Sequence, residues 1–155
     1  MLIRVLAVGT KMPQWVQTGV SEYSKRLPKD HSLEWQEIPQ SRRSKESPVQ
    51  RMTDEAQAIE RHLKPGDTVI ILDVEGQPIV TEGIAAALED WRMEAAKPVF
   101  LIGGPDGLAP SLKAKAAARW SLGRITLPHP LVRVVLSEQL YRAWSINVGH
   151  PYHRA

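Results

Sequence analysis

The sequence predicts an α/β fold in which a mostly parallel sheet carries helices on both faces. Apolar segments of strand length alternate with segments of helical periodicity along the 155 residues, a pattern typical of such sheets. Three segments are suited to a ligand site: TVIILD at 68–73 ends in an acid, LIGGPDG at 101–107 turns from an apolar run into glycines, and LGRITLPHPLVR at 122–133 is broken by two prolines around His129. Parallel strands end at one edge of the sheet, so we expect these segments to meet there.

The first strand, helix and second strand are predicted from the N-terminal quarter. The run at 2–8 is apolar except for Arg4 and lacks the basic, apolar, small-residue order of a signal peptide, which favours a strand. Pro13 suits the start of a helix and Pro28 closes it. An apolar segment near 33–38 then predicts the second strand.

A capping box predicts where the second helix begins. Ser47 can cap the helix, Pro48 suits its first turn, and Gln50 stands where the box requires a glutamine. Lys-Pro-Gly-Asp at 64–67 ends the helix before the strand at 68–73. The apolar stripe is formed by Met52, Ala56, Ile59 and Leu63.

The second half of the chain predicts three helices and two strands. An amphipathic helix is expected at 81–96 and a buried strand at 98–102. An Ala- and Lys-rich helix follows at roughly 110–119, and a short strand near 124–127. The chain then ends in a long helix from about 131 to 148 and the tail GHPYHRA.

Composition limits the class of protein. A chain with 43% hydrophobic and 24% charged residues is typical of a globular domain, and we expect one domain over 1–155. No apolar stretch approaches the roughly 18 residues that span a bilayer, which predicts no membrane segment. Cysteine is absent, which excludes a disulfide framework and a thiolate nucleophile and is compatible with a cytoplasmic protein.

The net charge says little about binding partners, and the distribution of the charged residues says more. The net charge is +3, an excess that many proteins carry without binding nucleic acid. A solvated face and a polar loop account for the clusters, unless the ligand site points to RNA. The clusters comprise Lys25, Arg26 and Lys29; Arg42, Arg43 and Lys45; and Arg133, Arg142 and Arg154.

The glycine-rich segment at 101–107 excludes two nucleotide chemistries. It has neither the GxxxxGK[ST] pattern of a phosphate loop nor the GxGxxG pattern of a dinucleotide site. A backbone-lined, apolar loop without a lysine is compatible with a nucleoside ligand such as S-adenosylmethionine. A tight turn from strand to helix explains the glycines equally well.

Four segments resemble one known family over essentially the whole chain. They are VGTKMPQWVQTGVSEYSKRLPKD, LIGGPDGL, WSLGRITLPHPLVRVVLSEQLYRAWSI and HPYHR, and they resemble the ribosomal RNA large subunit methyltransferase H family of the SPOUT superfamily. The resemblance implies a C-terminal trefoil knot, an exception to the rule that chains do not thread their own loops. It also implies a homodimer that uses S-adenosylmethionine to methylate N3 of a pseudouridine in 23S rRNA on the assembled ribosome.

The resemblance also implies which residues bind the cofactor. By match to the family's loops these are Leu72, Gly103, Leu122, Gly123, Arg124, Ile125, Thr126 and Leu127.

The proposed chemistry identifies candidate catalytic residues. An imide nitrogen attacks well after losing its proton, which calls for a base or for a cation that stabilises the anion. His129 can instead hold its loop through a backbone hydrogen bond, and Arg142 can form an ion pair. The tail combines a ring, an imidazole and a guanidinium. The candidates are His129, Arg142, Tyr152, His153 and Arg154, with Arg133 also considered.

Other functions remain open at this point. His150 and His153 have a spacing that suits a metal on a helix, but Pro151 disfavours the helix, so we predict no metal. A related enzyme acting on tRNA ribose, or a ribosome-associated binding protein without catalysis, is the alternative to the rRNA methyltransferase.

Overall fold

The computed structural model describes residues 1–41 and 47–154. The basic residues Arg42, Arg43 and Lys45 lie outside the described part. The strands are β1 (Leu2–Val8), β2 (Ser32–Ile38), β3 (Asp67–Pro78), β4 (Lys97–Ile102) and β5 (Ala118–Ser121). The helices are α1 (Gln14–Ser24), α2 (Pro48–Glu60), α3 (Thr81–Glu94), α4 (Pro110–Lys115) and α5 (His129–Asn147), with a 3₁₀ turn at Lys29–His31.

The sheet confirms the predicted fold class. In the described part of the chain its strands lie in the order β2-β1-β4-β3-β5, and all of the pairings are parallel. Helices α3 and α5 pack on one face around a cluster that includes Phe100 and Leu136, and α1 packs against α5. Helices α2 and α4 cover the other face around Leu101 and Ile59. The chain therefore buries both faces of the sheet, as a parallel sheet requires.

The boundary of the second helix is confirmed in detail. The Gln50 backbone N–H donates to Ser47 Oγ at 3.3 Å, and the Ser47 N–H donates to Gln50 Oε1 at 3.3 Å. These reciprocal bonds satisfy donors that the first turn of a helix leaves without partners.

The prediction for residues 110–127 is right for the start of the helix at Pro110 and wrong for its end and for the strand that follows. Helix α4 ends at Lys115, and the last strand is β5 at Ala118–Ser121, whereas the segment expected as a strand, 124–127, forms a turn. Alanine and lysine favour a helix locally, but Trp120 is 7% exposed and stacks on Trp91. Tertiary burial of this ring against the sheet outweighs the helical propensity. The final helix also begins earlier than expected, at His129.

Candidate functional site

A cavity of about 630 Å³ opens where the strands end. It lies beyond the carboxyl ends of β1 and β4 and beside the middle of β3, at 71–74, and the turn after β5 and the first turn of α5 close it. Its volume falls within the range of roughly 300–1,000 Å³ that small-molecule sites occupy. Its apolar walls include Val8, Leu72, Ile102, Leu108, Trp120 and Leu127.

The structure brings most of the predicted cofactor residues to this cavity. Arg124 and Thr126 lie in the same turn but are not among the residues that line it. Residues from three separate segments of the chain thus line one pocket, and their role in binding stays a prediction. The six that line the cavity are Leu72, Gly103, Leu122, Gly123, Ile125 and Leu127.

The glycine turn at 103–107 is folded tightly on itself. The Gly107 N–H donates to the Gly104 carbonyl at 3.0 Å, and Gly107 has a φ of +83°. A Cβ on Gly103 would lie 2.9 Å from the Gly107 carbonyl carbon and 2.9 Å from Leu108 Cγ. Arg51 on α2 holds the turn through Nε–H···Oδ2 of Asp106 at 2.8 Å, a bond that lowers the pKa of Asp106. Only glycine fits position 103 without opening the turn.

His129 is held by hydrogen bonds on both sides of its ring. Arg133 Nε–H donates to His129 Nε2 at 3.0 Å, so Nδ1 carries the proton and donates to the Gly103 carbonyl at 2.9 Å. Burial and the Arg133 charge lower the pKa of His129. This geometry favours the structural alternative from the sequence: the imidazole ties α5 to the glycine turn, and neither nitrogen is available to take a proton.

Lowering the pH is expected to weaken the fold through His129. Because its folded pKa is lowered, its stabilising contribution is present above the unfolded pKa of about 6.5 and is lost as pH falls through the folded value, by at most about 1.4 kcal/mol per pH unit. Urea unfolding at about pH 7.5 and about pH 5.5 measures this loss in the wild type and in His129→Gln. The variant should lose less on acidification, whereas a His62→Gln control should match the wild type. Equal losses in wild type and His129→Gln would exclude this role.

Arg133 is buried at 4% exposure and joins three parts of the fold. Besides His129, it donates to Glu37 Oε2 at 2.7 Å and to the Gly9 carbonyl at 2.9 Å. Each of its three guanidinium nitrogens therefore donates a bond within the chain, which indicates an organising role for Arg133 rather than contact with a substrate. Sequence reasoning proposed the residue but not this role, because its partners lie up to 124 residues away.

The tail residues form a second group with helix α5. Arg142 Nε–H donates to Glu138 Oε1 at 2.7 Å, and the Tyr152 hydroxyl donates to the same oxygen at 3.0 Å. Arg142 also lies over the Tyr152 ring, 4.7 Å from its centroid, and its guanidinium approaches His153 Nδ1 at 3.2 Å. Burial, aided by Glu138, raises the pKa of Tyr152 to about 12. We call Glu138, Arg142, Tyr152 and His153 the tail cluster; Arg154 follows it and is exposed.

Sequence reasoning missed Glu138, although it organises the tail cluster. Its position four residues before Arg142 on α5 is the signal that was available, since side chains at i and i+4 meet on a helix. The carboxylate holds the arginine and the tyrosine in one arrangement.

The tail cluster and the cavity lie apart within one chain. His129 begins α5 and Arg142 follows thirteen residues later, so about 20 Å of helix separates them at 1.5 Å per residue. None of the tail-cluster residues lines the cavity. The structure therefore places His129 and Arg133 in one candidate group and Arg142, Tyr152 and His153 in another, which the exposed Arg154 follows in the chain.

Sequence reasoning also missed a bulge that contributes to the cavity wall. Strand β3 pairs with β5 through Leu72, leaves the ladder, and rejoins it at Gln77. Asp73 begins the excursion; it accepts a bond from Arg119 at 2.6 Å and one from the Glu75 N–H at 3.0 Å. Burial opposes ionisation of Asp73, but these bonds together with Lys113 lower its pKa.

Residues 1–41 and 47–154 contain neither a metal-binding cluster nor a membrane-spanning helix. No group of three or more histidine, aspartate or glutamate side chains is arranged to hold a metal. No helix in these ranges has both the length and the apolar character to cross a bilayer.

Comparisons with known proteins agree on one family. A family model described as a predicted SPOUT methyltransferase matches residues 1–153. Proteins named ribosomal RNA large subunit methyltransferase H from Stutzerimonas stutzeri and Pseudomonas aeruginosa are each 48% identical over 155 residues, covering 99% of this chain and 100% of theirs.

Two solved structures share the fold. A probable methyltransferase from Bordetella pertussis has a TM-score of 0.58 at 13% identity and covers 91% of this chain and 95% of its own. A probable methylase family protein from Haemophilus influenzae has a TM-score of 0.58 at 12% identity and covers 99% of this chain and 70% of its own.

Proposed function

The chain belongs to the SPOUT methyltransferase family, and on that premise we propose that it transfers a methyl group from S-adenosylmethionine to N3 of a pseudouridine in 23S rRNA, within the assembled ribosome. The observation that carries the proposal is 48% identity to ribosomal RNA large subunit methyltransferase H proteins across their full length. This substrate would place the activity in the cytoplasm.

The cavity fits S-adenosylmethionine by size and by chemistry. About 630 Å³ accommodates a ligand of this size, and apolar walls interrupted by glycine backbone suit an adenine that bonds to amide and carbonyl groups. Leu72, Gly103 and the turn from Leu122 to Leu127 are the proposed binding elements, with Arg124 and Thr126 acting through the backbone shape of that turn.

When bound, S-adenosylmethionine would supply an electrophilic methyl carbon to the N3 lone pair and would leave as a neutral thioether. The chain then has two tasks, to orient the base and to favour its anion. Arg142 is the proposed cation beside the N3 anion, and Arg154 is the proposed cation beside the phosphate of the target nucleotide. Tyr152 is proposed to stack on the base, and His153, paired with Arg142, to guide the departing N3 proton towards solvent.

The separation of about 20 Å between cavity and tail cluster favours a site that two chains share. We propose a homodimer in which the tail cluster of one copy faces the cavity of the other. Apolar side chains that line the cavity and are exposed support this assembly: Ile125 is 79% and Val74 is 71% exposed. One domain over 1–155 and the trefoil knot at its C-terminal end complete the proposed architecture.

The decisive experiment offers the purified protein three substrates together with S-adenosylmethionine that carries a labelled methyl group. We expect label in 23S rRNA of assembled ribosomes, with little in free large subunits and none in tRNA. Mapping the label to N3 of a pseudouridine would support the full proposal. Label in tRNA ribose would favour the related enzyme, and cofactor binding without transfer to any of the three would favour a binding protein.

A further inference from the structure

The cavity has a charged end formed by Asp73 and Lys113. Among the described residues that line the cavity, these two carry formal charges, since the bond that Arg133 donates keeps the His129 ring neutral. Lys113 Nζ lies 3.5 Å from Asp73 Oδ2. The rest of the wall is apolar side chain, uncharged polar side chain or backbone.

The charges at this end do not balance. Asp73 Oδ2 already accepts the 2.6 Å bond from Arg119, and Oδ1 accepts the Glu75 N–H. Two cations thus share one carboxylate, which leaves an excess of one positive charge. The Lys113 contact is longer than a normal N–H···O bond, and an ammonium group has three donors. Lys113 is therefore suited to bind an additional anion in the cavity.

We propose that Lys113 binds the α-carboxylate of the amino-acid end of S-adenosylmethionine, with Asp73 holding the lysine in position. This inference rests on the proposed function. A carboxylate that enters a partly dehydrated apolar cavity requires a cation, and Lys113 is the cation among the described lining residues. Lys113 then selects cofactors that retain this carboxylate.

Calorimetry without RNA tests the assignment, because RNA phosphate is the other anion that Lys113 can meet. The probes are S-adenosylmethionine and decarboxylated S-adenosylmethionine, which differ in the carboxylate alone. The wild type should bind the intact cofactor about tenfold to a hundredfold more tightly, the range for one charge-assisted hydrogen bond. Lys113→Met should lose this factor for the intact cofactor and bind the decarboxylated one equally or more tightly. Lys113→Arg should retain most of the preference.

Lys115→Met is the matched control. Lys115 lies on the same helix, pairs with Glu60 at 3.2 Å and is not among the residues that line the cavity. It should leave both affinities unchanged.

Three results would overturn the inference. They are equal losses for both ligands in Lys113→Met, no loss for either, and a wild type that does not distinguish the ligands. The comparison of the two ligands on the wild type needs no variant, so it tests the inference even if Lys113→Met folds poorly. A loss in Lys113→Met that appears only with ribosomes present would assign the lysine to RNA phosphate instead. A wild type that binds neither ligand would contradict the proposed function itself.

Discussion

Replacing Gly103 with valine is expected to lower the affinity for S-adenosylmethionine by more than about a hundredfold. Because Gly103 matches the family's cofactor loop, an added side chain would be expected to enter the ligand slot. In the structure the new Cβ instead meets the backbone of its own turn, 2.9 Å from the Gly107 carbonyl carbon and 3.1 Å from its oxygen. The turn must open, and the Gly103 carbonyl then moves away from His129.

Calorimetry on Gly103→Ala and Gly103→Val measures the effect, and Gly83→Ala is the control. At Gly83 a Cβ would also meet an atom at 3.0 Å, but that atom is the flexible tip of Ile79. Gly83→Ala should therefore bind the cofactor normally. Unchanged affinity in Gly103→Val, in a variant whose circular dichroism matches the wild type, would show that the ligand does not use this turn.

Substitution of the tail is expected to reduce methyl transfer by about a hundredfold or more while cofactor affinity changes by no more than a few-fold. His153→Ala removes the partner of Arg142 Nη1, and Arg154→Ala removes an exposed cation. Arg154→Ala should also reduce the salt dependence of ribosome binding, as expected for one lost phosphate contact. Transfer assays on ribosomes, with calorimetry for the cofactor, separate the two effects.

Deletion of residues 151–155 is a harsher form of the same test. The sequence predicted these residues in a tail beyond the last helix, but Tyr152 packs edge-on against Tyr141 at 4.7 Å and bonds to Glu138. We therefore expect the deletion to cost some stability as well as activity. Arg92→Ala on α3 serves as the control, since this exposed arginine pairs with Glu89 away from the cluster. Full methyl transfer by His153→Ala and Arg154→Ala would show that the tail takes no part in the reaction.

Local pattern was sufficient to predict the sheet and most of its helices. Alternating apolar segments defined β1, β3 and β4, and Ser47 with Gln50 located the start of α2. Strand β5 was missed because the alanines at 116–118 favour a helix, whereas Trp120 is buried against Trp91. Helical propensity depends on residues that are neighbours in the sequence, whereas this contact joins Trp91 and Trp120, which are far apart in it.

The sequence predicted which loops form the candidate site but not the hydrogen bonds that hold it together. The glycines at 103, 104 and 107 indicated a close approach of backbone, which the structure contains. By contrast, Arg133 joins Gly9 and Glu37 across 124 and 96 residues. The bulge at Asp73 likewise depends on its pairing with β5. These contacts can be identified only in the folded chain. In the sequence alone, nothing near Arg133 or Asp73 distinguishes these side chains from ordinary charged residues on the surface.

The span of Arg133 has a consequence for biogenesis. The cavity wall includes Val8 from the first strand and Val132 from the last helix, so a nascent chain acquires a complete pocket only after its final helix has been synthesised and has docked. Contacts between distant parts of a chain also form slowly, since loop closure precedes their gain in free energy. Ligand that binds only the finished fold then stabilises it by mass action. Cofactor supply would thus protect mature enzyme from proteolysis while leaving incomplete chains exposed to it.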